Sequence, residues 1–191
     1  MISLLPRRSI VFACICIAGF LCTQTVQAQA PDRHFMRGLA IQAYPAGVVL
    51  NGHFAYFYKP NQTVGIYLGY NLTNRRDWGE HDDEQGGGAG AGLAWRYYFK
   101  EKDVSGFHAG IRTDMWFLTI DWEQDAGQEG ETEISVLQPT AQVGYSFFPP
   151  DRRLAFEVNA SLGAEINVLT RGEDVGEGAI FLIGFTMGYQ F

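Results

Sequence analysis

The chain has 191 residues, of which 47% are hydrophobic and only 18% are charged, and its formal net charge is −7. This composition excludes an intrinsically disordered chain. The negative charge disfavours a nucleic-acid partner, because phosphate binding requires a basic face. No apolar run reaches the ~20 residues of a membrane-spanning helix, and the length is that of one domain.

The first 28 residues are arranged like a secretory signal peptide. Arg7 and Arg8 precede an apolar stretch at 10–21, and Ala28 provides a small residue just before a cleavage point. As a helix this stretch would measure about 18 Å, which is too short for the ~30 Å hydrocarbon core of a bilayer. We therefore expect residues 1–28 to be removed and residues 29–191 to form the mature domain.

Cysteines occur only in this leader, as Cys14, Cys16 and Cys22. The mature domain is therefore expected to be exported but to contain no disulfide, so that its stability must come from the fold. The alternatives for the leader are a retained anchor and lipidation at Cys22. The second alternative lacks the small residue expected before a lipidated cysteine, because Leu21 stands there.

Eight segments after residue 33 alternate large apolar residues with small or polar ones, which is the period of a β-strand. They lie near 34–44, 48–58, 64–72, 89–99, 107–117, 137–147, 154–168 and 181–191. The last segment is the clearest, with large apolar residues at Phe181, Ile183, Phe185, Met187, Tyr189 and Phe191. No segment has the periodicity of a helix, so the chain is predicted to be all-β.

The connections between these segments alternate in length. Short turns rich in Pro, Asn and Asp lie at 59–62, 100–103 and 149–153, whereas longer loops are expected at 73–85, 121–133 and 170–177. The tight turn at 45–47 is an exception on the long-loop side. Short turns at one end and long loops at the other indicate an up-and-down antiparallel meander.

The two faces of the strands decide between a soluble and a membrane barrel. A soluble barrel points its large apolar face inward, whereas a membrane barrel points it outward. The opposite face here is rich in Gly, Ala, Ser, Thr and Asn, which suit the narrow interior of an eight-stranded barrel. Aromatic residues such as Trp95, Tyr97 and Tyr58 lie near strand ends, as in interfacial girdles. We therefore predict an eight-stranded antiparallel transmembrane β-barrel with its apolar face outward, with a soluble lipocalin-like barrel as the alternative.

Together these features resemble the small eight-stranded outer-membrane β-barrels of bacteria, of the OmpX and OmpA-barrel type. In that family the barrel-assembly machinery recognises a terminal aromatic residue preceded by alternating apolar residues, and the matching positions here are Phe185, Met187, Tyr189 and Phe191. The resemblance covers residues 34–191. It implies the outer membrane of a Gram-negative cell, contact with lipid and lipopolysaccharide, and a monomer. It also implies a structural, adhesive or surface-interaction role rather than an enzymatic one, and it names no extracellular ligand.

Six ionisable residues are predicted to point into the barrel, with His53 as a further candidate: Arg96, His108, Arg112, Asp114, Glu157 and Glu165. Counted from the short-turn end, Arg96, His108 and Glu157 share a low level, and the other three lie higher. An unpaired charge in a dry interior costs several kcal/mol. We therefore expect a network of ion pairs that plugs the lumen, rather than a catalytic pair.

Two other functions remain as alternatives: a lipid-modifying barrel enzyme and a narrow channel for small solutes. The lipid A deacylase family pairs a catalytic histidine with a serine two positions later, and no histidine of this chain has a serine there. The lipid A palmitoyltransferase family has an amphipathic helix before its barrel, for which the few residues after Ala28 leave no room. We therefore expect no catalytic residues and no cofactor.

The three expected long loops carry 14 acidic residues and three basic ones, so most of the negative charge lies at one end of the barrel. A solvated acidic rim is the simplest interpretation. Weak, millimolar-range Ca²⁺ binding is a further possibility, because Ca²⁺ accepts several carboxylate oxygens at once. The candidate ligands are Glu80, Asp82, Asp83, Glu84, Asp121, Glu123 and Asp125.

Overall fold

The computed structural model describes residues 34–76, 83–100, 104–124, 127–149 and 153–191. The predicted leader at 1–28 lies outside these residues. The described part of the chain forms eight strands: β1 Phe35–Tyr44, β2 Gly47–Lys59, β3 Gln62–Arg76, β4 Asp83–Tyr98, β5 Gly106–Gln124, β6 Gln128–Phe147, β7 Leu154–Arg171 and β8 Gly178–Gln190. Within these ranges no helix is long and apolar enough to cross a membrane.

Each strand pairs antiparallel with the next, and β1 pairs with β8, so the sheet closes on itself. The predicted eight-stranded up-and-down barrel is confirmed. At one point of the closing seam two glycines lie opposite each other, Gly38 and Gly188. A Cβ atom at Gly38 would overlap the carbonyl oxygen of Met187, which explains why this close approach of two backbones requires glycine.

The alternation of the strands separates two faces as predicted. On the outer surface, Leu68 and Leu93 are 63% and 67% exposed, whereas on the inner surface Tyr67 and Trp116 are almost fully buried. The outer surface therefore carries a band of large apolar side chains, and the inner surface is formed by buried ones.

The loop predicted at about 170–177 is observed at 172–177, whereas the loops predicted at 73–85 and 121–133 are wrong in extent, because the strands continue into them. β5 runs to Gln124 and β6 begins at Gln128, with an unbroken register between them that pairs Asp121 with Glu131. The acidic residues there occupy every second position, and Trp122 and Thr132 point inward between them. The density of charge in the sequence obscured a strand period of two.

Candidate functional site

The interior of the barrel is the first candidate site, and it is divided into layers. At the short-turn end lies an apolar layer formed by Met36, Ala55, Phe57 and Ala155, against which Val104 and Phe148 pack. This layer closes the barrel interior from that end.

A charged layer lies above it, centred on Glu157. The carboxylate is 3.1 Å from Arg96 Nη2 and accepts hydrogen bonds from Ser146 Oγ at 3.2 Å and Asn159 Nδ2 at 3.1 Å. His108 Nε2 is 3.8 Å away, which is beyond hydrogen-bonding distance. These groups are buried, so the carboxylate is compensated by a directed set of donors rather than by solvent.

Arg112 and Asp114 form a second ion pair. Arg112 Nε donates to Asp114 Oδ2 at 2.7 Å, and Arg112 Nη2 donates to Oδ1 at 2.7 Å, which is a two-point contact. The Arg112 guanidinium also lies 3.9 Å from the centroid of the Tyr67 ring, and the Tyr67 hydroxyl accepts a hydrogen bond from Arg96 at 2.7 Å. Tyr67 therefore links the two pairs into one network.

Several buried polar atoms at this level have no hydrogen-bond partner within the described ranges. They include both ring nitrogens of His53 and of His108, and both side-chain polar atoms of Asn51. Buried polar groups are normally satisfied by protein or by ordered water. The charged layer is therefore a place where internal water is expected.

A second apolar layer, the upper apolar layer, lies above the charged layer and fills the end of the barrel next to the longer connections. It includes Trp116, Leu118, Ile120, Ile134 and Leu182, all buried. This layer was not predicted, because the fifth strand was expected to end near residue 117. The inward alternation that contains Asp114 continues through Trp116 to Trp122, and this signal would have found it.

A third charged group lies at the mouth of the barrel. Arg75 Nη1 is 3.2 Å from Glu84 Oε2, and Arg75 Nη2 is 2.7 Å from Glu165 Oε2. Arg75 and Glu84 were expected in an exposed loop, but they are buried on the inner face of β3 and β4. The expectation that Glu84 lies on the solvated rim as a cation ligand is wrong, because its carboxylate already binds Arg75 and the backbone N–H of Gly176.

The second candidate site is the acidic outer surface formed by Asp83, Asp121, Glu123, Glu129 and Glu131. Asp83 lies opposite Glu123, which in turn lies opposite Glu129, while Asp121 lies opposite Glu131. These side chains line an open depression of about 500 Å³. Within the described ranges no group of three or more His, Cys, Asp or Glu residues is arranged to hold a metal ion. Glu80, Asp82 and Asp125 lie outside those ranges, and cation binding stays a prediction.

The charged layer does not have the arrangement of a nucleophile activated by a base. Ser146 donates its hydrogen bond to Glu157 rather than to His108, and all three side chains are buried. A hydrolytic triad requires the histidine to lie between the hydroxyl and the carboxylate. The geometry is that of an ion-pair network.

No protein-family model and no curated protein matches the chain. Similar folds occur among solved structures. The N-terminal β-barrel domain of Pseudomonas aeruginosa OprF is 15% identical, with a TM-score of 0.45, covering 83% of this chain and 98% of that one. Neisserial surface protein A is 9% identical, with a TM-score of 0.46, covering 86% and 100%. Ail, the attachment invasion locus protein of Yersinia pestis, is 11% identical, with a TM-score of 0.46, covering 83% and 97%.

Proposed function

We propose that the mature chain is a non-enzymatic β-barrel of the bacterial outer membrane, with a structural, adhesive or surface-interaction role. The observation that carries this proposal is the outward apolar face. Large side chains such as Leu68, Ile111 and Ile183 are more than half exposed around the barrel, while the ion pairs are inside. In water this surface would be an aggregation hazard. In a bilayer it is the surface that contacts lipid.

The band of aromatic residues at the short-turn end supports the same proposal. Trp95 Nε1 donates to the Tyr58 hydroxyl at 2.8 Å, and Lys59 lies 5.6 Å from the centroid of the Tyr58 ring. Aromatic residues with polar tips, next to basic side chains, are typical of the membrane–water interface. Because membrane barrels have short turns on the periplasmic side and longer loops outside, we assign the short-turn end to the periplasm and the acidic end to the cell exterior.

The layered interior supports a barrel that does not conduct. Apolar layers lie at both ends of the charged layer, and Glu157 and Asp114 have their charges compensated by arginines. A steady ion current would require a continuous hydrated path. The layers therefore favour a structural role over a narrow channel. The hydrogen bond of Ser146 to Glu157 rather than to His108 favours a structural role over a lipid-modifying enzyme.

Fractionation of a Gram-negative host that produces the full chain tests the proposal. The protein should be recovered in the outer-membrane fraction, begin at Gln29, and run at a different apparent mass before and after boiling, as folded membrane barrels do. In planar bilayers the purified protein should give no steady current. Recovery as soluble periplasmic protein would contradict the location, and large steady currents would contradict the plugged interior.

A further inference from the structure

The segment between β7 and β8, residues 172–177, folds into the mouth of the barrel. Val175 is 2% exposed and belongs to the upper apolar layer, together with Trp116 and Ile180. Gly176 is also buried, whereas Glu173 and Asp174 face solvent. The segment therefore covers the apolar layer from above, with its acidic side chains on the outer side.

The segment is held at its deepest point by buried charges. Arg75 Nη1 donates a hydrogen bond to the carbonyl oxygen of Gly176, and the N–H of Gly176 donates to Glu84 at 3.1 Å. The same guanidinium is fixed by Glu165 on the other side of the barrel. One arginine thus connects the segment to two strands of the wall.

Three weaker contacts hold the rest of the segment. Asn167 Nδ2 donates to the carbonyl oxygen of Val175 at 3.0 Å, and the N–H of Asn167 donates to Glu177 at 2.8 Å. Thr132 Oγ1 donates to the carbonyl oxygen of Glu173 at 3.1 Å. The hydrogen bond from the Asn167 N–H is exposed and the other two are partly buried, and the net contribution of a single hydrogen bond to stability is modest.

A glycine with positive φ stands at each end of the segment. Gly172 has φ +127° and Gly178 has φ +141°, in a region that other residues rarely adopt. Such positions absorb backbone rotation at low cost and commonly serve as hinges. The segment is therefore short, lies between two glycines that can act as hinges, and is held at Gly176 by Arg75 and Glu84.

We propose that residues 172–177 form a hinged lid over the mouth of the barrel, latched by Arg75, and that its release exposes the upper apolar layer. Closed, the lid removes Val175 and the apolar side chains beneath it from water. Open, it makes that layer accessible from the loop end. This inference goes beyond the proposed function and does not depend on it, because the lid lies above the mouth whether detergent or lipid surrounds the barrel.

Thiol accessibility tests the lid directly, because residues 29–191 contain no cysteine. Val175→Cys places a reporter on the buried inner side of the lid, and Asp174→Cys places a control on its exposed side. In the detergent-folded barrel, a charged maleimide should label position 175 at least about tenfold more slowly than position 174, as expected for a site that reacts only through local opening. Equal rates would overturn the proposal.

Two substitutions should then open the lid. Arg75→Gln removes the latch. Gly172→Ala opposes the closed backbone, because φ +127° is unfavourable for alanine and the added Cβ would lie 2.7 Å from Thr132 Oγ1. Gly127→Ala is the matched control: it also has positive φ, but its Cβ would meet no atom within 4 Å. Labelling at position 175 should accelerate about tenfold in the first two variants and remain unchanged in the control.

Boiling-dependent gel mobility establishes that each variant is folded before labelling. If Arg75→Gln fails to fold, Gly172→Ala decides the question alone, because it leaves every charge in place. Unchanged protection of position 175 in folded Gly172→Ala, or the same acceleration in Gly127→Ala, would overturn the proposal.

Discussion

Loss of the Glu157 carboxylate should be among the most destabilising single changes in this barrel. Glu157→Ala leaves the Arg96 guanidinium inside the lumen with the Tyr67 hydroxyl as its neighbour and with no counter-charge at contact distance. Ser146 and Asn159 also lose the acceptor of their hydrogen bonds. The substitution therefore leaves an unpaired charge and two unsatisfied donors in a region shielded from bulk solvent.

The magnitude follows from distance and burial. Arg96 and Glu157 are 3.1 Å apart and their side chains are 4% and 5% exposed. At an effective dielectric constant of ~20 their Coulomb interaction is about 5 kcal/mol, and removal of one partner from a buried pair costs about 3–5 kcal/mol. Arg171 and Glu133 form the contrasting surface pair, 3.6 Å apart and 72% and 61% exposed. Glu133→Ala should therefore cost at most about 1 kcal/mol.

Urea unfolding of the barrel in detergent micelles, followed by tryptophan fluorescence, measures the loss of unfolding free energy in Glu157→Ala and in Glu133→Ala. Replacing both partners with apolar residues of similar size, Arg96→Met with Glu157→Leu, leaves no unpaired charge and should cost less than Glu157→Ala alone. Equal losses for Glu157→Ala and Glu133→Ala would refute the reasoning. The reasoning would also be refuted if the double variant lost as much stability as Arg96→Met alone and Glu157→Leu alone lose together.

Three further substitutions, two of them with a control variant, test the wall, the outer surface and the acidic surface. Gly90→Ala should cost about 1–3 kcal/mol in the same assay because its Cβ overlaps a buried indole. In the control Gly65→Ala no atom lies closer than 3.4 Å to the added Cβ, so stability should change by less than about 1 kcal/mol. Equal losses for Gly90→Ala and Gly65→Ala would contradict this reasoning. Leu68→Arg should destabilise the barrel in lipid vesicles by about 2–4 kcal/mol, whereas Gln85→Arg near the mouth should cost little; equal effects would contradict a bilayer around Leu68. Glu123→Gln relieves repulsion from two neighbouring carboxylates and should stabilise by about 0.2–1 kcal/mol, measured as a function of salt. Added salt or millimolar Ca²⁺ should reduce this gain, and a gain independent of both would contradict its electrostatic origin.

The barrel itself could be predicted from the sequence because one local rule determines it. Alternation over Phe181–Phe191 identifies a strand with two different faces, and its repetition eight times specifies a closed sheet. The depth of Arg96 and Glu157 could be counted from the turns for the same reason. Neither inference requires knowledge of a contact between distant parts of the chain.

The mouth could not be predicted because its residues depend on distant contacts. By the alternation of the strands, Arg75 lies on the same inward face as Thr73, and Glu84 on the same inward face as Gly86. The acidic residues around them nevertheless suggested a solvated loop. The burial of Val175 has no local signal. It depends on a hydrogen bond between Arg75 and Gly176, residues that lie 101 positions apart.

The seam between β1 and β8 has a consequence for the order in which the barrel folds. Every other strand pair is a hairpin between neighbours in the sequence. The seam instead pairs Met36 with Gln190, which lie at opposite ends of the barrel sequence. Closing so long a loop carries the greatest entropic cost, so the seam is expected to form last. Until then both end strands present unpaired N–H and C=O groups, which are templates for pairing with a second chain. The interval before closure is therefore when the nascent barrel most needs protection from aggregation.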